Sequence, residues 1–155
     1  LVYARAPLPK DVAPQVLAGS MLETLSSAWP ETFGLAQVSL YVSEAGVQTN
    51  LHCDERGGFL AQLRGRKRVI LFPPSSRGLQ AANWGRTSAA SPCGRRSWFS
   101  DGLPEDWAGL EPFAALRGLE VEVEEGTALY TPRGWWHDVL SRDAETVGLV
   151  GRCVV

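Results

Sequence analysis

The chain has 155 residues, of which 45% are hydrophobic and 21% charged, with a formal net charge of −2 at pH 7. This composition predicts one globular domain with its own hydrophobic core and excludes an intrinsically disordered chain. The near balance of charge does not favour a nucleic-acid partner. No apolar run is long enough to span a membrane, so no membrane association is expected.

The two ends of the sequence and its cysteines indicate whether the chain is part of a longer protein and where in the cell it is expected. The sequence begins at Leu1 and ends in "GRCVV", which continues a strand-like run. We therefore expect residues 1–155 to be a single domain from a longer chain. Cys53, Cys93 and Cys153 fit neither a disulfide framework nor a zinc motif. The expected location is intracellular, in the cytoplasm or the nucleus.

Residues 14–28 have apolar side chains at helical spacing, which predicts an amphipathic helix. Asp11 is a candidate cap, Pro14 suits the first turn, and Pro30 ends the pattern. Residues 1–30 are therefore predicted to form a helical flank that packs on the rest of the domain.

Short strand patterns follow, among them "AQVSLYVS", "FLAQLRG" and "KRVILF", separated by turn residues such as "EAG" and "DERGG". Residues 36–74 and 119–155 are predicted to be strands. The segment 75–118 between them is predicted to be a long insertion with a short helix or two. Many short strands without a βαβ rhythm predict a mainly β fold, a double-stranded β-helix (jelly roll) of the cupin type.

The stretch "TNLHCDERGG" places His52 two residues before Asp54. In a strand, such residues point to the same face, so an imidazole and a carboxylate can meet at one point. The other histidine of the chain is His137, in "TPRGWWHDV". Two histidines and a carboxylate form the ligand set of non-haem Fe(II) oxygenases. The competing interpretations are a polar turn at His52 and a packed histidine at His137.

Lys67 lies in "GRKRVILFPP", where it shares a strand face with Val69 and Leu71. A buried ammonium on such a face needs an anionic partner, and a dicarboxylate co-substrate would supply one. The competing interpretation is that residues 64–68, "RGRKR", form a solvated basic turn or a nucleic-acid patch.

Two long segments, "TNLHCDERGGFLAQLRGRKRVILFPP" and "EVEEGTALYTPRGWWHDV", carry a resemblance to a known family. They resemble the JmjC, or cupin-8-like, Fe(II)/2-oxoglutarate oxygenases, and among these the asparaginyl hydroxylases most of all. The likeness runs from about residue 36 to the end of the chain. It implies hydroxylation of a protein or peptide side chain. N-methyl-lysine demethylation, a catalytically degenerate binding module and a small-molecule cupin remain alternatives.

The resemblance also implies roles for individual residues. His52, Asp54 and His137 would bind the catalytic Fe(II), with O₂ as the oxidant. Lys67 and Thr49 would hold the distal carboxylate of 2-oxoglutarate, the co-substrate. A homodimer formed through regions outside this chain is a further implication.

Three more positions are expected near the site. Tyr41 falls where the family has a pocket residue that contacts the co-substrate. Leu60 and Gln62 share the strand parity of His52, so we expect them to line the substrate side.

The sequence departs from the family pattern at two places. Gly58 stands where the asparaginyl hydroxylases have an asparagine beside the co-substrate. The final strand lacks a second asparagine and offers Gly151 or Arg152, depending on a one-residue gap. Arg152 is then either a second anion partner or a solvent-facing residue.

Overall fold

The computed structural model describes residues 3–9, 35–76, 103–111 and 113–153, and isolated residues within 11–27 and at 79. Strands dominate the described residues: β1 (Tyr3–Pro7), β2 (Leu35–Ser43), β3 (Gln48–Cys53), β4 (Gly58–Arg64), β5 (Lys67–Phe72), β6 (Leu119–Val123), β7 (Ala128–Thr131), β8 (Trp136–Ser141) and β9 (Thr146–Cys153). Two single-turn 3-10 helices, Trp107–Gly109 and Phe113–Ala115, precede β6. None of the helices in the described residues is long and apolar enough to cross a membrane.

The strands form two antiparallel sheets. The larger has the order β1-β2-β9-β4-β7, and the smaller has the order β3-β8-β5-β6. From β2 to β5, and again from β6 to β9, successive strands alternate between the two sheets, so each strand pairs with strands that are distant in the chain. This is the winding of a double-stranded β-helix, and the predicted mainly β jelly-roll fold of the cupin type is confirmed.

Apolar side chains pack between the sheets and on their outer faces. Val69, Leu71 and Val123 form an interior cluster, against which Leu60 and Leu129 of the larger sheet pack. The opposite face of β5 contributes Ile70 and Phe72 to a second cluster. That cluster also contains the following side chains, four of them from the segment between β5 and β6: Leu51, Cys53, Trp136, Leu79, Leu103, Trp107 and Phe113. The end of the insertion therefore covers the smaller sheet.

Buried polar bonds fasten the insertion to the strands that carry the site. The Arg68 guanidinium of β5 donates to the Leu103 carbonyl at 2.7 Å and to a Glu105 carboxylate oxygen at 2.9 Å. On β8, the fully buried Asp138 accepts a hydrogen bond from the Leu103 backbone N–H at 3.2 Å. Burial raises the pKa of Asp138. Leu103 is thus held from both strands, which fixes how the insertion packs next to His137.

The N-terminal part differs from the predicted helical flank of residues 1–30. Tyr3–Pro7 is an edge strand that pairs antiparallel with β2. Its side chains are all exposed, so neither face of the strand is buried. The alternation of apolar and polar residues that marks a half-buried strand is therefore not required here. The backbone of β2 determines its conformation instead. Most of the predicted helix 14–28 lies outside the described residues. Of its described residues, Gln15, Glu23, Thr24 and Ser27 are helical, whereas residues 18 and 19 form a turn in which Gly19 has φ of 74°.

The predicted strand segments 36–74 and 119–155 contain β2–β5 and β6–β9, respectively. Much of the predicted insertion 75–118 lies outside the described residues, and its described end holds the two 3-10 helices. That residues 1–155 form a single domain of a longer chain stays a prediction.

Candidate metal centre and cavity

The register of β3 and β8 brings the two histidines together. His52 is the cross-strand partner of His137, and the pairing register shifts between Thr49 and His52. The two imidazole rings have centroids 4.1 Å apart. Asp54 follows the end of β3, and one ligand atom from each of the three side chains lies within 4.8 Å of the other two. The structure thus places the three predicted metal ligands in one cluster.

Backbone carbonyls orient both imidazoles. His52 Nδ1 lies 2.7 Å from the Asn50 carbonyl oxygen, and His137 Nδ1 lies 3.1 Å from the Trp135 carbonyl oxygen. Because a carbonyl oxygen only accepts hydrogen bonds, the proton of each neutral ring resides on Nδ1. The Nε2 lone pairs are then free and face Asp54 Oδ2, at 4.0 Å and 3.4 Å. Such outer contacts fix tautomer and orientation in metal-binding histidines.

The protonation states suit a divalent metal. Burial and the neighbouring His137 lower the pKa of His52 to about 4, so this imidazole is neutral at pH 7. Burial alone would raise the pKa of Asp54. The neighbouring His137 and the Arg152 guanidinium, which donates a hydrogen bond to this carboxylate, outweigh burial and hold that pKa well below its usual range. A neutral imidazole and an ionised carboxylate are the ligand forms that bind such an ion. The side chains of His52, Asp54 and His137 are therefore suited to hold a divalent metal ion.

The three ligands line a cavity that opens to solvent between the two sheets; the cavity and the solvent space at its mouth together measure about 730 Å³. Tyr41, Thr49, Leu60 and Lys67 line the same cavity, as expected from the sequence. Val69, from the predicted face of β5, also lies in its wall. The structure therefore joins the candidate metal ligands and the four other residues in one cavity.

Lys67 lies in this cavity with only 5% of its surface exposed. Its ammonium donates to Ser43 Oγ at 3.2 Å and to Ser141 Oγ at 3.0 Å. Within the described part of the chain, no ion pair involving Lys67 is formed. Burial lowers the pKa of Lys67 to about 8, which leaves the ammonium mostly charged at pH 7. The result is a buried cation held by neutral hydroxyl groups.

Ser43 and Ser141 were missed by the sequence interpretation, although strand parity points to both. Ser43 lies two residues after Tyr41 on β2, and Ser141 lies two residues after the cavity residue Val139 on β8. Residues two apart on a strand share a face, so both serines face the jelly-roll interior. A second hydroxyl contact, from Ser43 Oγ to Thr146 Oγ1 at 2.7 Å, extends this polar cluster.

The structure decides between Gly151 and Arg152. Arg152 pairs in register with Gly58 and lines the cavity, whereas Gly151 pairs with Phe59. The Arg152 guanidinium donates to Asp54 Oδ2. The arginine therefore does not point to bulk solvent, and it contacts a candidate metal ligand.

Gln62 departs from its predicted place on the substrate side. It is 1% exposed and is absent from the cavity lining, although it shares a strand face with Leu60. Its side-chain amide donates to the Arg64 carbonyl at 2.7 Å, and the register of β4 with β9 shifts between Gln62 and Arg64. This local irregularity ties the amide to its own strand.

The family follows from a comparison with family models. The model described as a cupin-like domain matches residues 8–150. The chain belongs to the cupin-like domain family. The match covers β2 to β8, the first part of β9 and the three candidate metal ligands, but not β1.

Relatives of this cupin-like domain are much longer proteins. The chain is 29% identical over 102 residues to tRNA wybutosine-synthesizing protein 5 of Gallus gallus, covering 66% of this chain and 29% of that protein. It is 25% identical over 107 residues to lysine-specific demethylase JMJ31 of Arabidopsis thaliana, covering 68% and 19%, respectively. The chain thus spans less than a third of either relative.

A solved structure has the same fold. The X-ray structure of E. coli ycfD matches with a TM-score of 0.54 and 17% identity, covering 86% of this chain and 30% of that one. At this identity the match supports the jelly-roll architecture and nothing finer.

Replacement of His52 by alanine should weaken Mn(II) binding by more than about 100-fold, since even loss of an outer contact to a metal ligand costs 10- to 100-fold. Mn(II) is a suitable probe because, like Fe(II), it is a divalent ion that binds carboxylate oxygen atoms, and it is less readily oxidised by O₂. Isothermal titration calorimetry on the purified protein measures the affinity.

The control is Glu55→Gln, which removes an exposed acid next to Asp54 and outside the cavity lining. It should bind Mn(II) like the unaltered protein. Equal affinity of the His52→Ala protein, or a comparable loss in the Glu55→Gln protein, would contradict the assigned ligand set.

Proposed function

We propose that this cupin-like domain is an Fe(II)- and 2-oxoglutarate-dependent dioxygenase that hydroxylates a protein side chain. The observation that carries the proposal is one cavity containing a two-histidine, one-carboxylate cluster and a buried lysine without a carboxylate partner among the described residues. A plain scaffold needs neither feature. The closer resemblance to asparaginyl hydroxylases, drawn from the sequence motifs, favours hydroxylation.

The metal end consists of His52, Asp54 and His137. These three side chains offer two nitrogen atoms and one oxygen atom and leave further coordination positions to ligands that enter the cavity. Fe(II) held there supplies the activation of O₂, which couples conversion of 2-oxoglutarate to succinate and CO₂ with hydroxylation of the substrate. One oxygen atom of O₂ enters succinate, and the other becomes the new hydroxyl group.

The co-substrate end consists of Lys67 and Thr49. A carboxylate entering the cavity would pair with the Lys67 ammonium, whose present partners are neutral serine hydroxyls. Such an ion pair, buried and supported by hydrogen bonds, is strong because water screens it little. Thr49 would add a hydroxyl donor to the same carboxylate, and Tyr41 would contact the co-substrate from β2.

Apolar side chains around the cavity exclude water from the reacting atoms. Val69, Leu60 and Leu129 line its wall between the two sheets. A water-poor pocket strengthens the electrostatic contacts within it and protects reactive species. The opening toward solvent leaves room for a side chain presented on an extended protein segment, with Leu60 on the substrate side.

Demethylation of N-methyl-lysine is the second candidate, favoured by the 25% identity to a protein named as a lysine-specific demethylase. Both reactions begin with hydroxylation, so the same cavity serves either. Product analysis separates them: hydroxylation adds one oxygen atom to the peptide, whereas demethylation releases formaldehyde. A catalytically degenerate binding module would give neither product.

The proposal is tested by succinate formation from 2-oxoglutarate in the presence of Fe(II), O₂ and ascorbate. The unaltered protein should form succinate, and His52→Ala and Asp54→Ala should reduce the rate by at least about 100-fold because each removes a metal ligand. The Glu55→Gln protein should retain the full rate. Equal turnover in all four proteins, or none in the unaltered one, would refute the oxygenase assignment.

The charge on Lys67 should make co-substrate binding pH-dependent. The pKa of Lys67 is lowered to about 8, so the cationic form predominates below that pH and is lost above it. Since an anion binds the cationic form, affinity should fall as pH rises. Proton linkage predicts about a fourfold increase in the Kd of 2-oxoglutarate from pH 7 to pH 8.5.

Calorimetry with the Mn(II)-loaded protein measures this dependence, and Lys67→Met is the matched variant. Methionine approximates the shape of the lysine stem but has no charge, so this protein should bind weakly and lose the pH dependence. Its thermal stability should stay the same or rise, because an ammonium buried with only neutral partners is costly. Retained affinity and pH dependence in Lys67→Met would remove the assigned role of this residue.

A further inference from the structure

Arg152 occupies the end of the cavity where the candidate metal ligands converge. It lies on β9 in register with Gly58 of β4, and it lines the cavity. Its guanidinium donates to Asp54 Oδ2, the oxygen that also faces His137 Nε2 at 3.4 Å and His52 Nε2 at 4.0 Å. The positive charge therefore lies beside the cluster itself.

Gly58 makes space for this arginine. A Cβ atom added at residue 58 would lie 3.7 Å from both Cδ and Nη1 of Arg152, and 2.9 Å from the Gly151 carbonyl oxygen. A longer side chain at this position would compete with the guanidinium for the same volume. The glycine and the arginine, each a departure from the family pattern, are thus complementary parts of one arrangement.

The charges that line the cavity favour an anionic ligand. Lys67, Arg56 and Arg152 contribute positive charges, while Asp54 supplies the one carboxylate among the described residues of the lining. Binding of a divalent cation at Asp54 would add further positive charge at the same end. An anion that contacts this end would offset the repulsion between the metal and the guanidinium.

The chemistry of the guanidinium narrows the class of ligand. Its planar fork of N–H groups matches the two oxygens of a carboxylate better than it matches a neutral group. Lys67 already provides a cation elsewhere in the same cavity, with Ser43 and Ser141 as its partners. Two separate cationic groups in one cavity are suited to a ligand with two carboxylates.

We propose that Arg152 is an anchor for the keto-acid carboxylate of the co-substrate, while Lys67 and Thr49 hold the distal carboxylate. This role rests on the proposed function and extends it. Gly58 leaves the guanidinium the space for this contact. The cavity then selects 2-oxo dicarboxylic acids through a cationic group at each end.

The test compares the affinity of Mn(II)-loaded proteins for 2-oxoglutarate. Arg152→Gln should weaken binding by roughly tenfold or more, the loss expected for a charge-assisted hydrogen bond. Arg152→Lys should recover part of the affinity because it keeps the charge. The control is Arg64→Gln, which removes an arginine from an exposed ion pair with Glu145 and should stay within about twofold, as is usual for surface pairs.

A second probe assigns Arg152 to one end of the ligand. 2-Oxobutyrate has the keto-acid carboxylate but lacks the distal one. Its affinity, measured by competition with 2-oxoglutarate, should fall in Arg152→Gln by the same factor as that of 2-oxoglutarate. In Lys67→Met, only the affinity for 2-oxoglutarate should fall.

Three results would overturn the role of Arg152. The first is 2-oxoglutarate affinity in Arg152→Gln equal to that of the unaltered protein. The second is a parallel loss of Mn(II) and 2-oxoglutarate affinity in this variant, which would mean that Arg152 acts only by positioning Asp54. The third is a failure of the unaltered, metal-loaded protein to bind 2-oxoglutarate, which would refute the proposed function itself. Melting curves for each variant separate these results from loss of the fold.

Discussion

His52 and His137 face each other across the antiparallel pair of β3 and β8, and the candidate centre depends on that register. A slip of one residue on either strand would turn one imidazole to the opposite face of the sheet, where Leu51, Cys53 and Trp136 pack in the core. The bonds from Nδ1 of each ring to a carbonyl two residues earlier then orient the Nε2 atoms toward Asp54. Strand pairing thus sets the position of the ligands, and local hydrogen bonds set their direction.

The packing on the outside of the smaller sheet supports this register. Trp107 and Phe113 of the insertion pack with Phe72, and Arg68 and Asp138 bind Leu103 from adjacent strands. Burial of each large apolar side chain contributes about 1.5–3 kcal/mol, so the insertion adds considerably to the stability of β5 and β8. These two strands carry Lys67 and His137 on their inner faces. The insertion therefore contributes to the site through packing, without lining the cavity in its described part.

The jelly roll and the metal cluster were predictable because both follow from local pattern. Alternation along a strand determines that His52 and Asp54 share a direction, and the chain has only one other histidine to join them. β1 was not predictable, because its exposed side chains carry no alternation and its partner β2 is more than twenty-five residues away. The orientation of Arg152 depended on the register of β9 with β4, which a one-residue gap in a motif match leaves undefined. Gln62 shares a strand face with Leu60, as its spacing predicts. Its amide is instead held by a hydrogen bond to the Arg64 carbonyl at a shift of the β4–β9 register, which residue spacing alone does not reveal.

The central claim is that one cavity binds a metal ion and a dicarboxylate together, with each strengthening the binding of the other. Titration of 2-oxoglutarate into the metal-free and the Mn(II)-loaded protein at pH 7 tests it most directly. The metal-loaded protein should bind at least about 100-fold more tightly, a difference of ~2.8 kcal/mol, because direct ligation adds to the contacts with Lys67 and Arg152. Equal affinities with and without Mn(II) would contradict the account, because the carboxylate site and the metal cluster would then be independent.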